Sequence, residues 1–395
     1  MRLAHLADLH LGFRQHTRLT PQGINQREAD VAQAFRRMLD DVTGARPDVV
    51  VIAGDLFHTV RPTNAAILDS FQQIRRFRAR LPDAPVIVVA GNHDTPRSVE
   101  TGTILRLFEA VEGVHVAAHE PRRLVFERLG LAVLCVPHAA WSHAPRPVIA
   151  RDPAMGRNVL VTHREVEGVL PYEAQAALGY GAEPIRRADL HAEEFDYVAL
   201  GHYHVATRVE ANVYYAGGSE YVTTNPWGES AERGVADAPG AKGWLLVELG
   251  KRLKVTFRPI PLARRVIDLE PIHGAGLAAA ELDRAIGDRL AAVDGAIDGQ
   301  IVRQVVYDVA RLTARDLDHA AIRDYKTRAL HYRLDLRRPA SRREVGVGGP
   351  GRRHTLPEVL EEYLRARPLP PEVPRERLVE LGRELLAQAE APEAS

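Results

Sequence analysis

DVVVIAGD, residues 48–55, decides the fold. Val49–Ala53 is an unbroken apolar run with no alternation, which predicts a short strand buried on both faces. PVIVVAGNHD at 85–94 repeats the grammar. Between the two runs, Thr63 to Leu81 carries apolar residues at helical spacing, with Thr63 as N-cap. A second such segment, Asn25 to Val42, precedes the first run. Strand, helix, strand at this spacing predicts an α/β core, and in such cores ligands bind beyond the carboxyl ends of the strands.

The chain places metal-type side chains at those ends. Asp8 and His10 follow LAHLA, and Gly54-Asp55 with His58 follow VVVIA. Gly91-Asn92-His93-Asp94 follow VIVVA, His163 follows NVLVT, and Gly201-His202-Tyr203-His204 follow YVAL. Hard oxygen donors mixed with imidazoles suit a pair of divalent metals such as Mn, Fe or Zn. One short motif means little. Satisfied structural histidines would account for single blocks, but not for five in one strand-then-loop context. A metal pair needs a bridging carboxylate, and Asp55 is the best candidate because Gly54 lets the backbone turn sharply beside it. Water held between two metals loses a proton more easily and becomes a nucleophile. An unligated imidazole can then serve the leaving oxygen; His58 and His93 are the two candidates.

Working outward, short strands dominate from about Arg122 to Val136 and from Tyr197 to Phe257. VYYAGG, GWLLVEL and RLKVTFRPI are expected in a second sheet packed on the first. The predicted architecture is therefore α/β: a four-layer αββα sandwich over residues 1–262, with a smaller α+β domain at 263–343. In that domain a helix over 278–293, a strand over 301–310, a helix over 316–330 and a strand over 331–336 are expected. Between Arg303 and Arg343 stand eleven Arg and Lys against five Asp, a local excess of six positive charges. A solvated helix face and a phosphate-contacting face are both open readings. GVGGPG lies in a flexible linker, 344–354, before a tethered helical hairpin at 355–395. Leu356, Val359, Leu360, Tyr363 and Leu364 form one apolar stripe; Leu378, Leu381, Leu385 and Leu386 form another. The helices either fold back on the body or bind a partner's groove or coiled coil, and the tether favours a partner.

Bulk properties exclude several classes. The 395 residues are 45% hydrophobic and 26% charged, as in a globular protein. Lys+Arg and Asp+Glu are both 52, so net charge gives no support to a nucleic-acid partner and any basic surface is local. Cys135 is the single cysteine, read as a buried core thiol; it fits a reducing cytoplasm. No signal peptide is read at the start, and no apolar stretch approaches the ~20 residues of a membrane helix. Trp141, Trp227 and Trp244 show no interleaving with basic residues, so no stacking platform for single strands is argued. His5, His16, His115, His119 and His143 lack motif context and read as structural or surface groups. His138 either lines the cleft or is structural, and Tyr203 reads as packing.

The block set DxH, GDxxH, GNHD, lone His and GHxH resembles the calcineurin-like metallophosphoesterase superfamily. Within it, DLHLG followed by GDLFH and GNHD is similar to the SbcD-type nucleases of double-strand-break repair. The resemblance covers residues 1 to about 225 by motif. It implies one metal held by Asp8, His10, Asp55 and His204, and a second held by Asp55, Asn92, His163 and His202. It implies that His93 stabilises the transition state or protonates the leaving group, that His58 assists, and that Asp94 orients His93. Also implied are manganese, exonuclease action on duplex DNA, endonuclease action on single strands or hairpins, and a DNA-capping smaller domain. The tail helices would bind the coiled coil of an SbcC-type ATPase, and the protein would be a homodimer, with the 25–42 and 63–81 segments as candidates for the contact. The loop after Ser219, EYVTTNPWGESAERGVADAPGAKG, is longer than that resemblance leads one to expect. It reads equally as a substrate contact or a variable surface loop. Two other functions stay open: a phosphodiesterase or phosphatase acting on a small nucleotide or phosphoprotein, and a DNA-end tether.

Overall fold

The computed structural model describes residues 1–96, 102–142, 144–169, 184–339, 356–367, 369 and 374–390. The expected linker, GVGGPG included, lies outside the described residues, as do His143, Arg342 and Arg343. Residues Met1–Arg337 form one compact unit and Arg338–Ser395 a second.

The first sheet starts from four parallel strands, β1 (Arg2–Leu6), β2 (Val49–Ala53), β3 (Val86–Val89) and β4 (Val114–Ala117). Every residue of β2 is buried, as its unbroken apolar run requires. Val50 and Ile52 pack with Phe35, Met38, Ile74 and Phe77 of helices α1 (Gln26–Ala45) and α2 (Asn64–Arg80). Val49, Val51 and Ala53 face the other way, into the centre of the sandwich. Asn25 caps α1 by accepting from the N–H groups of Arg27 and Glu28, and Thr63 caps α2 by accepting from Ala66. Each cap is worth about 1 kcal/mol.

The second sheet is built from β5 (Arg122–Phe126), β6 (Leu131–Val136), β7 (Arg157–His163), β8 (Tyr197–Gly201), β9 (Thr207–Arg208) and β10 (Val213–Tyr215), in the order β5-β6-β7-β8-β10-β9. Val133, Cys135, Val159, Val161 and Ala199 meet the inner face of the first sheet. Leu134, Val136, Leu160, Val198 and Leu200 point outward, under Trp141 of the short helix α3 (His138–Ser142) and under Leu190 and Phe195. Helices, sheet, sheet and outer cover thus make the four layers.

The chain then returns to the first sheet. β11 (Gly243–Leu249) runs antiparallel to β1, pairing Arg2 with Glu248 and His5 with Leu245, and β12 (Leu253–Pro259) pairs with β11. GWLLVEL and RLKVTFRPI were expected in the second sheet, so this is a correction. Without β11, β1 would present an open edge in the core, with unpaired N–H and C=O groups. Apolar alternation identifies a strand but not the sheet it joins. α4 (Pro226–Ala231) lies in the long loop before β11.

The third sheet is parallel throughout, in the order β13 (Val266–His273), β14 (Ile301–Tyr307), β15 (His331–Leu336). Helices α5 (Ala279–Ala291), α6 (Arg311–Arg315) and α7 (His319–Arg328) accompany it, with Leu282, Ile286, Val302, Val306 and Tyr332 in its core. Four of the counted basic residues are paired with carboxylates: Arg303 with Asp268, Arg315 with Asp316, Arg328 with Asp298 and Arg337 with Asp335. Asp268 and Asp298 come from before the counted window, so the surface excess is smaller than the local sequence suggests.

In the second unit, α8 (Leu356–Ala366) packs on α9 (Arg375–Glu390). Val379 of α9 is buried, 4% exposed, while Leu381 and Leu385 of the expected stripe are exposed, as are Val359 and Tyr363 of α8. A Cβ on Gly382 would sit 3.0 Å from Leu364 and 3.3 Å from Leu360, so the helices approach closely at that glycine instead of interlocking leucines. Arg375 closes the end of α8 by donating to the carbonyls of Leu364, Arg365 and Arg367.

Candidate metal centre

The loops after β1 and β2 are laced together through the main chain. Asp8 N–H donates to Gly54 O (3.1 Å), His10 N–H to Asp55 O (2.9 Å), Leu11 N–H to Leu56 O (2.9 Å) and His58 N–H to Leu11 O (3.0 Å). Asp8, His10, Asp55 and His202 have φ of 51, 45, 50 and 113°. Positive φ is uncommon outside glycine, costs about 1–3 kcal/mol per residue, and gathers at functional sites. Gly54, with φ of 90°, and Gly91 are needed for close approach. A Cβ on Gly54 would overlap the His163 ring, and one on Gly91 would overlap Asp55.

The five blocks converge. Asp55 Oδ1 accepts from the His93 N–H at 2.9 Å. Its Oδ2 lies 3.6 Å from His10 Nε2 and 3.3 Å from His163 Nε2. On one side, His10 Nε2 faces His204 Nε2 at 3.1 Å, and donor atoms of Asp8, His10 and His204 lie within 4.8 Å of one another. On the other, Asn92 Oδ1 lies 2.9 Å from His163 Nε2 and 3.3 Å from His202 Nδ1. His163 Nδ1 donates to Ala53 O (2.9 Å), which leaves its Nε2 for the site. Both Asp8 oxygens accept from the His202 N–H, at 3.0 and 3.1 Å.

Electrostatics suit a cation. Burial pushes Asp8 up to about 7, against the pull of His163. Burial also raises Asp55, but His163, His10 and His93 outweigh it and hold that carboxyl well below the usual range. Burial opposes a charge on His163, yet Asp55 and Asp8 draw it up to about 9. Burial takes His10 and His204 well below their ordinary value and His202 down to about 3, so these imidazoles are neutral donors, the form in which histidine ligates metals. Two carboxylates, an amide oxygen and four imidazoles around one demand for positive charge fit a pair of divalent ions.

His93 Nδ1–H donates to His58 O at 2.6 Å, which fixes the orientation of the ring. The His58 and His93 rings stack at 5.1 Å, and His58 Nδ1 lies 3.2 Å from His10 Nδ1. Asp94 was expected to orient His93. Its carboxylate accepts from the N–H groups of Leu56, Phe57 and Gly91 at 3.0–3.1 Å, tying the β2 and β3 loops together. A buried carboxylate taking three amide donors is a structural brace, although burial and Asp55 push it up to about 6.

Of the histidines without motif context, His5 spans the two sheets: Nδ1 meets Tyr197 Oη at 2.9 Å and Nε2 meets Leu200 O at 3.1 Å. His16 stacks on His331 of the third sheet at 4.0 Å. His138 stands 6.4 Å from the His163 ring, with Nε2 3.3 Å from Arg164. The Tyr203 hydroxyl does more than pack: it donates to Glu232. Arg303 and Arg333 lie over the Trp227 ring at 5.2 and 5.9 Å, an arrangement that distance along the chain hid. That ring is 2% exposed, so it offers no stacking platform. Glu229 and Lys242, buried behind His204, were also missed, because nothing in their local sequence marks them.

A two-sheet sandwich with paired carboxylates and imidazoles at its strand ends defines a metal-dependent phosphoesterase type of fold. Residues 1–206 match the calcineurin-like phosphoesterase family, and the chain belongs to it. The DNA double-strand break repair protein Mre11 of Saccharolobus solfataricus is 25% identical over 53% of this chain and 51% of its own length. Those of Methanopyrus kandleri and Aeropyrum pernix are 28% and 30% identical over 53% and 54% of this chain, and 46% and 52% of their own. The chain thus spans about half the length of the curated relatives it matches. It is also similar to the crystal structure of Pseudomonas putida nuclease MPE at 15% identity, over 63% of this chain and 84% of that one, with a TM-score of 0.25.

Proposed function

We propose that the chain is a manganese-dependent DNA nuclease of double-strand-break repair, cutting phosphodiesters from duplex ends and within single strands or hairpins. The observation that carries this reading is the convergence of two donor sets on one oxygen, Asp55 Oδ2. Asp8, His10, Asp55 and His204 would hold one ion, and Asp55, Asn92, His163 and His202 the other. Bound ions supply Lewis-acid charge and make a coordinated water easier to deprotonate. His93, with Nδ1 tied to the His58 carbonyl, presents Nε2 to the leaving oxygen as donor or stabiliser. His58 supports His10 from behind through Nδ1, and Asp94 keeps the two loops in register.

DNA as substrate is supported by the names of the relatives and by the extra α+β domain, which a small-substrate enzyme does not need. That domain, taken as 263–343, would cap the DNA. The helices α8 and α9 leave Val359, Tyr363, Leu381 and Leu385 exposed, and an SbcC-type coiled-coil ATPase is the partner that would cover them. Helices α1 and α2 are the candidates for a homodimer contact. Among the described residues no helix is long and apolar enough to cross a membrane. Cys135 is buried and its thiol pushed up by burial, which suits action in a reducing cytoplasm.

The test is cleavage of a linear duplex and of a single-stranded hairpin by the full chain with Mn2+, beside a His93→Ala variant. Cutting by the native chain that vanishes in the variant, with metal still bound, is the expected result. Absence of cutting together with brisk hydrolysis of a small phosphodiester would contradict it.

A further inference from the structure

We propose that Glu229 and Lys242, from the long loop between β10 and β11, are the positioning residues of His204 and thereby set the metal affinity of its half of the centre. The inference rests on the two-metal reading above. His204 turns Nε2 toward His10, the ligand side, and Nδ1 toward Glu229 Oε1 at 3.9 Å. Lys242 Nζ donates both to Glu229 Oε1 and to the His204 carbonyl, the latter at 2.9 Å. One ion pair therefore holds His204 by its main chain and sets a carboxylate beside the Nδ1 side of its ring. Thr223 Oγ1 donates to Glu229 Oε2 at 3.0 Å, and Lys242 Nζ lies 4.7 Å from the Tyr221 ring centre, so the pair is itself held in place.

The surrounding loop reinforces the grip. Gly218 N–H donates to the same His204 carbonyl at 3.0 Å, Tyr203 Oη donates to Glu232, and Val235 N–H donates to Ala206 O at 2.7 Å. Glu229 is 6% exposed and Lys242 2%. The pair is not a cheap source of stability, because a buried ion pair rarely repays the cost of removing two charges from water. Orientation of a ligand is what such a pair provides: a carboxylate behind an imidazole fixes its tautomer and ring angle, and losing that partner typically weakens metal binding about 10–100-fold.

The experiment is Mn2+ titration of the full chain by calorimetry, with electron paramagnetic resonance to tell a coupled pair from a single ion. Glu229→Gln should weaken one of two equivalents about 10–100-fold and leave the other unchanged. Glu229→Gln with Lys242→Met removes both charges, so that no unpaired ammonium is buried, and should do the same. Folded variants that bind both equivalents as the native chain does would overturn the proposal. So would variants that lose both equivalents together with their near-ultraviolet circular dichroism, since the pair would then be only a structural clamp. A native chain that takes up no divalent metal would fail the two-metal reading, and this inference with it. Two native equivalents with undiminished uptake in the variants would fail the inference alone.

Discussion

The loops that follow β1 and β2 are laced to each other by main chain, whereas the segment that follows β8 also takes an ion pair of side chains from far along the sequence. In the first case, glycine and positive-φ residues sit next to the ligands they serve, and four N–H···O=C bonds lace Asp8–Leu11 to Gly54–His58. In the second, His204 depends on Glu229 and Lys242, which stand 25 and 38 positions beyond it. Main-chain bracing leaves a local mark in sequence, because only certain residues tolerate the backbone it needs. Side-chain bracing leaves none. The two halves of the centre should therefore break in different ways.

Asp55 belongs to both halves, and its loss should have the largest effect. Asp55→Asn is expected to abolish tight uptake of two ions and to lower phosphodiester cleavage by roughly 10^4-fold, about 5 kcal/mol of transition-state stabilisation. Calorimetry with single-turnover kinetics would show it, and a variant that still binds two ions tightly would remove Asp55 from the bridge. His93→Ala should leave both halves filled and cost about 10^2- to 10^3-fold in rate, the usual worth of one proton-transfer group. Metal lost along with the rate would mean that His93 is a ligand.

Gly54→Ala tests the main-chain lacing of the β2 loop. The new methyl group would meet the His163 ring at a backbone φ of 90°, so both strain and overlap follow. A loss of about 3 kcal/mol in urea unfolding is expected, and a neutral result would show that the loop shifts freely.

His5 tests the seam between the sheets, and at neutral pH its effect should be smallest. Burial lowers its pKa from 6.5 to about 3, partly offset by Leu200 O. Between those values the unfolded chain binds a proton that the folded chain does not. The contribution of His5 is therefore complete above pH 6.5 and declines on acidification, by at most about 1.4 kcal/mol per pH unit. His5→Gln should flatten that part of the stability curve. Parallel curves for the two proteins would locate the acid sensitivity elsewhere.

Much of this was legible in the sequence. DVVVIAGD and PVIVVAGNHD announce buried parallel strands because a strand covered on both faces cannot alternate, and the donors follow at once because ligands gather at strand ends. Thr63 marks its helix start because a cap acts over three residues. What failed to show depends on distance. Nothing in GWLLVEL tells that its partner is β1 and not β10. Arg303 and Arg333 meet Trp227 only after the third sheet has formed. The leucine stripe of α9 ignored Gly382, whose missing side chain sets how closely the hairpin packs. Adjacency pointed Asp94 to the His93 ring and gave no sign that its carboxylate serves the loop backbone.

The central claim is a two-ion centre in which each ion takes ligands from the ends of both sheets and the two share Asp55. Anomalous diffraction at the manganese edge, from crystals of the full chain grown with Mn2+, tests it most directly. Two peaks flanking Asp55 Oδ2 are expected, one beside Asp8, His10 and His204 and one beside Asn92, His163 and His202. A single peak, or density away from Asp55, would contradict the account.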